Sequence, residues 1–311
     1  MHVINTVIPV FLIIALGAYL RKREFFTAEF VSGLNRLVYW IGLPCLLFYK
    51  IASAPYDFQR AGEIYVAVLA GTFACIAAGY VLSFFLRLSS IETGTLVQGV
   101  FRGNLLYIGI PVIVYSFTNS SSFDAAKMET TAILVLALMV PVYNITAVIV
   151  LLVGRHKIDR YAPFKIIREI VTNPILISSL LGLLYSIFFS ELPLAVSRSC
   201  KAIGQIALPL ALFGVGSSLV REKVAGRWTP AVAASLVKIL LGPVVGWLVA
   251  GMIGLGSGEM RIALLFLACP TATVSYIFAV QLGGEKQLAA ALVVVSTVLS
   301  VLSLSFVVGF F

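Results

Sequence analysis

Ten long apolar segments dominate this sequence, and each could cross a lipid bilayer as an α-helix. The hydrocarbon core of a bilayer is about 30 Å thick, so a helix of about 20 residues spans it. Only 11% of the 311 residues are charged and 60% are hydrophobic, whereas a soluble domain has about 25% charged residues. The sequence therefore predicts an all-α polytopic membrane protein. The ten predicted transmembrane segments are residues 3–20, 34–52, 63–86, 94–117, 126–153, 173–190, 196–219, 229–254, 259–282 and 287–310.

Basic residues lie mainly in the odd-numbered loops between these segments. Thirteen lysines and arginines are in the odd loops, and six are in the even loops and at their edges. Because basic loops tend to stay in the cytoplasm, we expect a multi-pass protein of the cell (inner) membrane with both termini on the non-cytoplasmic side. The net charge of +9 follows from this orientation, so no nucleic-acid partner is expected.

Two pairs of segments repeat within the chain. The stretch IGLPCLLF (41–48) matches IALPLALF (206–213). The stretch RGNLLYIGIP (102–111) matches RIALLFLACP (261–270). Prolines fall in register in both pairs, which favours an internal repeat over the chance similarity of leucine-rich segments.

These matches divide the chain into two halves of five helices. The register of the first pair also superposes Gly17 on Gly182. An odd number of spans inverts one half relative to the other, an architecture typical of transporters. The predicted parts are a first repeat at 1–153, a basic linker at 154–172 and a second, inverted repeat at 173–311. The linker is predicted either as an amphipathic helix on anionic lipid headgroups or as a solvated loop.

The fourth and ninth spans contain the residues least suited to an α-helix. Pro111 and Pro270 lack an N–H group and crowd the carbonyl four residues earlier, and Ile110 and Cys269 before them are disfavoured in the α region. With Gly109 nearby, we expect both spans to be broken. Broken backbone is tolerated only inside the protein or against a water-filled cavity. A simple kink is the common alternative, but the matching positions favour a binding site.

The residues beside these breaks suit an organic anion. The first turn of a half-helix carries a partial positive charge, which attracts a carboxylate. Asn104 is predicted to hydrogen-bond the carboxylate, with threonine and serine hydroxyls opposite it and two tyrosines as aromatic walls. The predicted substrate-binding residues are Gly103, Asn104, Tyr107, Thr271, Thr273, Ser275 and Tyr276.

Two basic residues lie deep in the predicted spans. Arg102 either attracts the anion or reaches the cytoplasmic interface, and the position of Arg261 at a helix edge in the repeat favours the interface. Lys238 is expected to snorkel toward the interface or to pack inside the bundle.

Other chemistries find little support in the sequence. None of the thirteen acidic residues falls clearly in mid-span, which weakens a carboxylate proton relay. No phosphate-binding GxxxxGK[ST] motif occurs, and the two histidines show no metal-ligand or catalytic-triad spacing. We therefore expect no enzyme activity, no cofactor and no metal.

Three motifs resemble the auxin efflux carrier family. They are LNRLVYWIGLPCLLFYKIA (34–52), NLLYIGIP (104–111) and PTATVSYIFA (270–279), and the resemblance in spans and repeats covers essentially the whole chain. It implies a fold like that of the bile-acid symporters and sodium–proton antiporters, in which the fourth and ninth helices break and cross. The plant members carry an indole carboxylate, and prokaryotic relatives are associated with organic acids such as malate.

The resemblance also implies which residues lie at the crossing. It carries over Gly103 and Asn104 in one helix, and Ser275 and Tyr276 in the other. The plant carriers place proline at the crossing in both helices, where this chain has Gly103 and Ser275. Their long central loop is here reduced to the short stretch 154–169, so the chain resembles a compact prokaryotic member.

The combined prediction is a secondary carrier or uniporter that moves a small organic anion across the bilayer by alternating access, in an elevator-like manner. A passive anion channel and a non-transporting membrane receptor are the alternatives. The sequence leaves open the coupling ion, the direction of transport and the oligomeric state, with a homodimer among the alternatives.

Overall fold

The structure is a computed structural model that describes residues 2–53, 58–118, 123–154, 171–189, 191–221 and 227–311. Within these ranges the fold is helical, and we number twelve helices in chain order. They are α1 (His2–Lys22), α2 (Ala28–Ser53), α3 (Phe58–Phe85), α4 (Ser90–Phe101), α5 (Leu105–Thr118), α6 (Ala125–Gly154), α7 (Pro174–Phe188), α8 (Leu194–Arg221), α9 (Trp228–Ile253), α10 (Ser257–Ala268), α11 (Val274–Leu282) and α12 (Lys286–Phe310). The amphipathic helix considered for the basic linker lies in the stretch 154–169, which after Gly154 falls outside the described residues.

Among the described residues, seven helices are long and apolar enough to cross a membrane: α1, α2, α3, α6, α8, α9 and α12. They confirm the prediction of a polytopic membrane protein. The predicted spans 94–117 and 259–282 are each divided into two shorter helices, and the predicted span 173–190 corresponds to the shorter helix α7. These three spans therefore differ from the continuous helices that length alone predicts.

The two halves of the chain pack against each other in a reciprocal way. Helix α1 lies on α8, and α7 lies on α2. A Cβ atom added at Gly17 would lie 2.6 Å from the carbonyl oxygen of Phe213, and one added at Gly182 would lie 3.0 Å from that of Phe48. The sequence match at 41–48 and 206–213 pairs Gly17 with Gly182 and Phe48 with Phe213, so equivalent positions of that match make the same close approach.

Helices α2 and α5 each contain a π-helical turn, at Val38–Gly42 and Leu105–Gly109. The last two residues of each turn begin the sequence Ile-Gly-aliphatic-Pro, which lies at 41–44 and 108–111. In a π turn the N–H group bonds the carbonyl five residues earlier instead of four. This wider turn provides room for the proline ring, which would otherwise clash with the preceding turn.

The prediction that Pro111 breaks its helix is therefore wrong. Ile110 keeps helical angles, with φ −59° and ψ −49°, and its N–H group donates to the carbonyl of Leu105. Pro111 lies inside α5, where the π turn widens the helix without interrupting it.

The helices are instead interrupted at 102–104, between α4 and α5, and at 269–273, between α10 and α11. Cys269, which precedes Pro270, has φ −59° and ψ 143°, so the extended backbone predicted there is confirmed. Helices α4 and α10 have the same length, and each ends directly before a break. Aligning their ends pairs Gly103 with Pro270, so the match of Pro111 to Pro270 is wrong.

The two breaks lie against each other. The N–H group of Asn104 donates to the carbonyl of Pro270 at 2.7 Å, and that of Ala272 donates to the carbonyl of Arg102 at 2.9 Å. Gly103 forms an isolated antiparallel bridge with Thr271 between these bonds. Because hydrocarbon offers no hydrogen-bond partners, each break satisfies backbone groups of the other.

Helix α4 begins at a defined cap. The N–H group and the hydroxyl of Ser89 donate to the Glu92 carboxylate at 2.9 Å and 2.7 Å, and the hydroxyl accepts from the N–H group of Glu92. Arg227 lies 2.7 Å from the same carboxylate. The Ser89 hydrogen bonds, with the Arg227 charge, hold the pKa of Glu92 below its ordinary value. This cap fixes where α4 starts and therefore the level at which it ends.

We expect Gly17→Ala to lower the free energy of unfolding by about 1–3 kcal/mol, because the added methyl group forces α1 away from α8. Gly62→Ala in α3 is the matched control, since a Cβ atom there meets nothing within 4 Å. Alanine favours a helix over glycine, so the control should be neutral or gain up to about 1 kcal/mol. Unfolding of the purified variants in denaturing detergent measures both, and equal stabilities would contradict the close packing.

Candidate functional site

A cavity of about 280 Å³, which we call the central cavity, lies beside the break at 102–104. Residues of α2, α5, α6, α7 and α11 line it. No aspartate or glutamate is among the described residues that line it. The lining is rich in amide, phenol and aromatic groups, namely Tyr39, Trp40, Asn104, Tyr107, Tyr143, Asn144, Asn173 and Phe278, together with the guanidinium of Arg102.

Arg102 is buried and lines the central cavity. The residue is only 5% exposed, so the expectation that it reaches the cytoplasmic interface is wrong. One Nη atom donates to Oδ1 of Asn144 at 2.5 Å, and the guanidinium lies 4.0 Å from the centroid of the Phe278 ring. The Asn144 amide and the Phe278 ring together orient the guanidinium. Its planar set of N–H donors matches the two oxygens of a carboxylate.

Asn104 lines the same cavity. Its Oδ1 atom caps α5 by accepting the N–H group of Tyr107 at 3.2 Å. The oxygen is thereby committed, and the Nδ2 atom is buried without a hydrogen-bond partner in the part of the chain that the structure describes. A buried donor without an acceptor costs about 1–3 kcal/mol, so this amide is suited to receive an acceptor from a ligand.

A second capping asparagine lines the central cavity from the other side. Oδ1 of Asn173 accepts the N–H groups of Ile175 and Leu176 at 2.9 Å and 3.3 Å, and Pro174 follows it as the first residue of α7. The N-termini of α5 and α7 therefore both meet the cavity. Helix N-termini carry partial positive charge and favour anions. Arg102 and both helix N-termini therefore each contribute positive electrostatic potential to the cavity.

A larger cavity of about 460 Å³, the Arg36 cavity, adjoins the central cavity. Tyr39, Trp40, Tyr107 and Val274 line both. Thr273 and Tyr276, two of the residues predicted from the ninth span, line the Arg36 cavity. Among the predicted site residues, Tyr107 is the one that lines both cavities.

Two other predicted residues lie away from both cavities. The hydroxyl of Thr271 donates to the carbonyl of Gly99 at 2.7 Å, and its N–H group donates to the Ser296 hydroxyl at 2.9 Å. Ser275 is buried, and its hydroxyl has no hydrogen-bond partner among the described residues. Ser275 and Tyr276 lie in the first turn of α11, so the residues at the break are 269–273 and the carry-over of Ser275 and Tyr276 to the crossing is wrong.

Gly103 in the first break and Gly109 in α5 allow close approach between helices. A Cβ atom at Gly103 would lie 3.3 Å from the carbonyl oxygen of Phe266, and one at Gly109 would lie 3.1 Å from the Cys269 sulfur. Gly109 ends the π turn. Both glycines therefore bring α5 and its preceding break against the end of α10.

Lys238 packs inside the bundle, which is one of its two predicted alternatives. Its Nζ atom donates to the carbonyl of Val100 at 3.1 Å, in the last turn of α4. The last carbonyls of a helix lack N–H partners and carry partial negative charge. The ammonium of Lys238 therefore caps the end of α4 at the break.

Sequence reasoning missed several residues of the central cavity. Asn144 and Phe278 come from α6 and α11, far from Arg102 in the chain. An available signal was the Asn-Pro pair at 173–174, which is typical of a helix N-terminus with proline in its first turn. A second was the Ile-Gly-aliphatic-Pro sequence shared by α2 and α5.

The arrangement can bind a small anion and offers no evident reaction chemistry. A guanidinium, amide donors and two helix N-termini converge on one cavity. Among the described residues, no group of three or more histidine, cysteine, aspartate and glutamate side chains could hold a metal ion.

Comparison with known proteins identifies the family to which the chain belongs. A family model described as "Membrane transport protein" matches residues 2–308. The chain belongs to this family. It is a family of transporters, and the resemblance to the auxin efflux carriers is confirmed.

Among similar proteins, one matches along nearly the whole chain. It is a Rhizobium meliloti (strain 1021) protein named "Putative malonate transporter", 24% identical over 96% of this chain and 93% of its own length. "Auxin efflux carrier component 3" of Arabidopsis thaliana is 29% identical over 118 residues, which are 36% of this chain and 18% of the plant protein. "Auxin efflux carrier component 3a" of Oryza sativa subsp. japonica is 29% identical over the same share of this chain and 19% of its own length.

We expect Thr271→Val to lower the free energy of unfolding by about 1–3 kcal/mol, because it leaves the Gly99 carbonyl without its donor. Thr297→Val in α12 is the matched control. Thr297 is equally buried and donates to the carbonyl of Val293 at 2.7 Å, but that carbonyl also accepts an N–H group within its helix. Unfolding in denaturing detergent compares the variants, and a loss no greater than that of the control would contradict this role of Thr271.

Proposed function

We propose that the protein is a secondary carrier for small carboxylates, which binds them in the central cavity. The observation that carries the proposal is the buried guanidinium of Arg102, held at 2.5 Å from Asn144 beside the unpartnered amide nitrogen of Asn104. A carboxylate accepts from both groups with favourable geometry. The N-termini of α5 and α7 add positive potential from two directions. The name of the Rhizobium relative makes malonate the first ligand to test.

The proposed fold is that of ten spans in two inverted repeats whose fourth and ninth helices cross. The reciprocal contacts of Gly17 and Gly182 support it. So does the approach of Gly42 to its own counterpart in the repeat, since a Cβ atom at Gly42 would lie 2.9 Å from Cβ of Ala207. A residue contacts its counterpart only near an axis that relates the two halves. The hydrogen bonds between the breaks support the crossing.

The proposed mechanism is alternating access with an elevator-like movement. Helices α1, α2, α7 and α8 pack extensively with one another, as do α3, α4, α9, α10 and α12. The central cavity lies where α2 and α7 of the first group meet α5, α6 and α11. Movement of one group along the other would carry the ligand held by Arg102 and Asn104 past α2. The cell (inner) membrane and the outward termini belong to the same proposal.

Asn104→Ala should abolish malonate uptake into proteoliposomes, because the variant loses both the cavity donor and the cap of α5. Malonate should also raise the melting temperature of the wild-type protein, since a ligand that binds only the folded state stabilises it by mass action. Unchanged uptake by the variant at normal expression would contradict the site. Saturable exchange supports a carrier, whereas unitary currents in single-channel recordings would indicate a passive anion channel.

Arg102→Lys should weaken malonate binding about tenfold, because a hydrogen bond to a charged group contributes about 1.5–3 kcal/mol and lysine lacks the planar fork. The dissociation constant from titration calorimetry measures the change. Arg23→Lys is the control, since Arg23 lies in the exposed turn after α1, and it should bind malonate like the wild type. Equal affinity for the Arg102 variant would place the anion elsewhere.

A further inference from the structure

A third cavity shares three of its lining helices with the central cavity. This Lys50 cavity has a volume of about 300 Å³ and is lined by α2, α5, α6 and α8. Three of these helices, α2, α5 and α6, also line the central cavity. Along α6 the two linings are separated by the stretch from Ile133 to Val140, which is about 10 Å of helix. The two cavities therefore lie at different levels along the same three helices, and we call the region between α2, α5 and α6 the groove.

Apolar residues lie between these levels along each of the three helices. Leu43 of α2, Ile108 of α5 and Leu136 of α6 fall between the two linings in sequence, and all three are fully buried. The central cavity is continuous in its lining with the Arg36 cavity, through Tyr39 and Tyr107. The central cavity thus adjoins a second cavity, and fully buried apolar residues separate it along the helices from the Lys50 cavity.

An ion pair crosses the groove beyond this apolar layer. Lys50, near the end of α2, pairs with Glu129, near the start of α6. The Glu129 side chain is 7% exposed and that of Lys50 is 28% exposed. Both residues line the Lys50 cavity, together with Lys201 of α8. The pair links α2, which packs with α7 and α8, to α6, which packs with α3 and α4.

We propose that the Lys50–Glu129 pair locks the closed end of the transport path, and that opening it exposes an anion-binding vestibule at Lys50 and Lys201. The proposal rests on the proposed function, because it assigns the far end of the same path. A movement of α6 along α2 must separate the two charges. Lys50 then becomes available to a carboxylate of the substrate class, which replaces the carboxylate of Glu129. By the predicted orientation, this end faces away from the cytoplasm.

The lock is tested by the accessibility of a single cysteine. The reporter is Ile113→Cys, a buried position that lines the Lys50 cavity, in a protein whose four native cysteines are replaced. A membrane-impermeant maleimide is added from the side of Lys50. Glu129→Gln should raise the labelling rate about fivefold, as expected for the loss of a partly buried ion pair. The exchanged pair, Lys50→Glu with Glu129→Lys, should return the rate toward that of the parent.

Two controls separate a lock from general loosening. Glu63→Gln removes an ion pair with Arg60 that lies within α3, and it should leave the labelling of Ile113→Cys unchanged. A protein that keeps only Cys75, which is buried in α3, should label equally slowly with and without Glu129→Gln. An unchanged rate at Ile113→Cys, an equal rise at Cys75, or an exchanged pair that labels as fast as Glu129→Gln would each overturn the lock.

The vestibule is tested in the same variants. Malonate or acetate should slow the labelling of Ile113→Cys in the Glu129→Gln protein relative to chloride at equal ionic strength. Adding Lys50→Met should remove this protection, and protection that is absent or persists without Lys50 would overturn the vestibule. Labelling needs no transport, so the two proposals fail separately. Failed malonate uptake with a responsive cysteine rejects the carrier, whereas normal uptake with an unresponsive cysteine rejects the lock.

Discussion

The backbone pairing between the two helix breaks is the interaction on which the rest of the structure depends. Inside a bilayer an unpaired N–H or carbonyl group costs several kcal/mol. Asn104 and Ala272 each donate to a carbonyl of the opposite break, and Thr271 donates to the last turn of α4. Each break is therefore stable only in the presence of the other. The contact holds the start of α5 where its cap, Asn104, meets the central cavity.

Positive charge accumulates where α4 ends. Lys238 donates to the carbonyl of Val100, and Arg102 follows the last residue of the helix. The C-terminus of a helix carries partial negative charge, which offsets part of the cost of burying cations. The side chains of Lys238 and Arg102 have different roles. Lys238 is turned to the backbone and stabilises the break, whereas Arg102 lines the cavity beside Phe278.

The sequence predicted the seven long apolar helices, because bilayer thickness and apolar length determine them directly. It also predicted the second break, since Pro270 keeps Cys269 extended. It failed at Pro111, because a π turn absorbed the proline, and a π turn has no strong signal in composition. Asn104 was predicted from its place near the break. Asn144, Asn173 and Phe278 were missed because tertiary packing of α6, α7 and α11 brings them to Arg102, and no local pattern encodes that meeting.

Helices α4 and α10 both end at a break, but the groups around the two ends carry different charges. At the end of α10, neutral groups donate to the last carbonyls: the Ser303 hydroxyl to Ala268 at 3.0 Å, and the Cys269 thiol to Leu265 at 3.1 Å. At the end of α4, the corresponding region holds the cations Lys238 and Arg102. A repeat can supply two equivalent breaks, but only the one with buried positive charge attracts a carboxylate strongly. The ligand is therefore expected on the side of the first break, with the second break acting as its structural support.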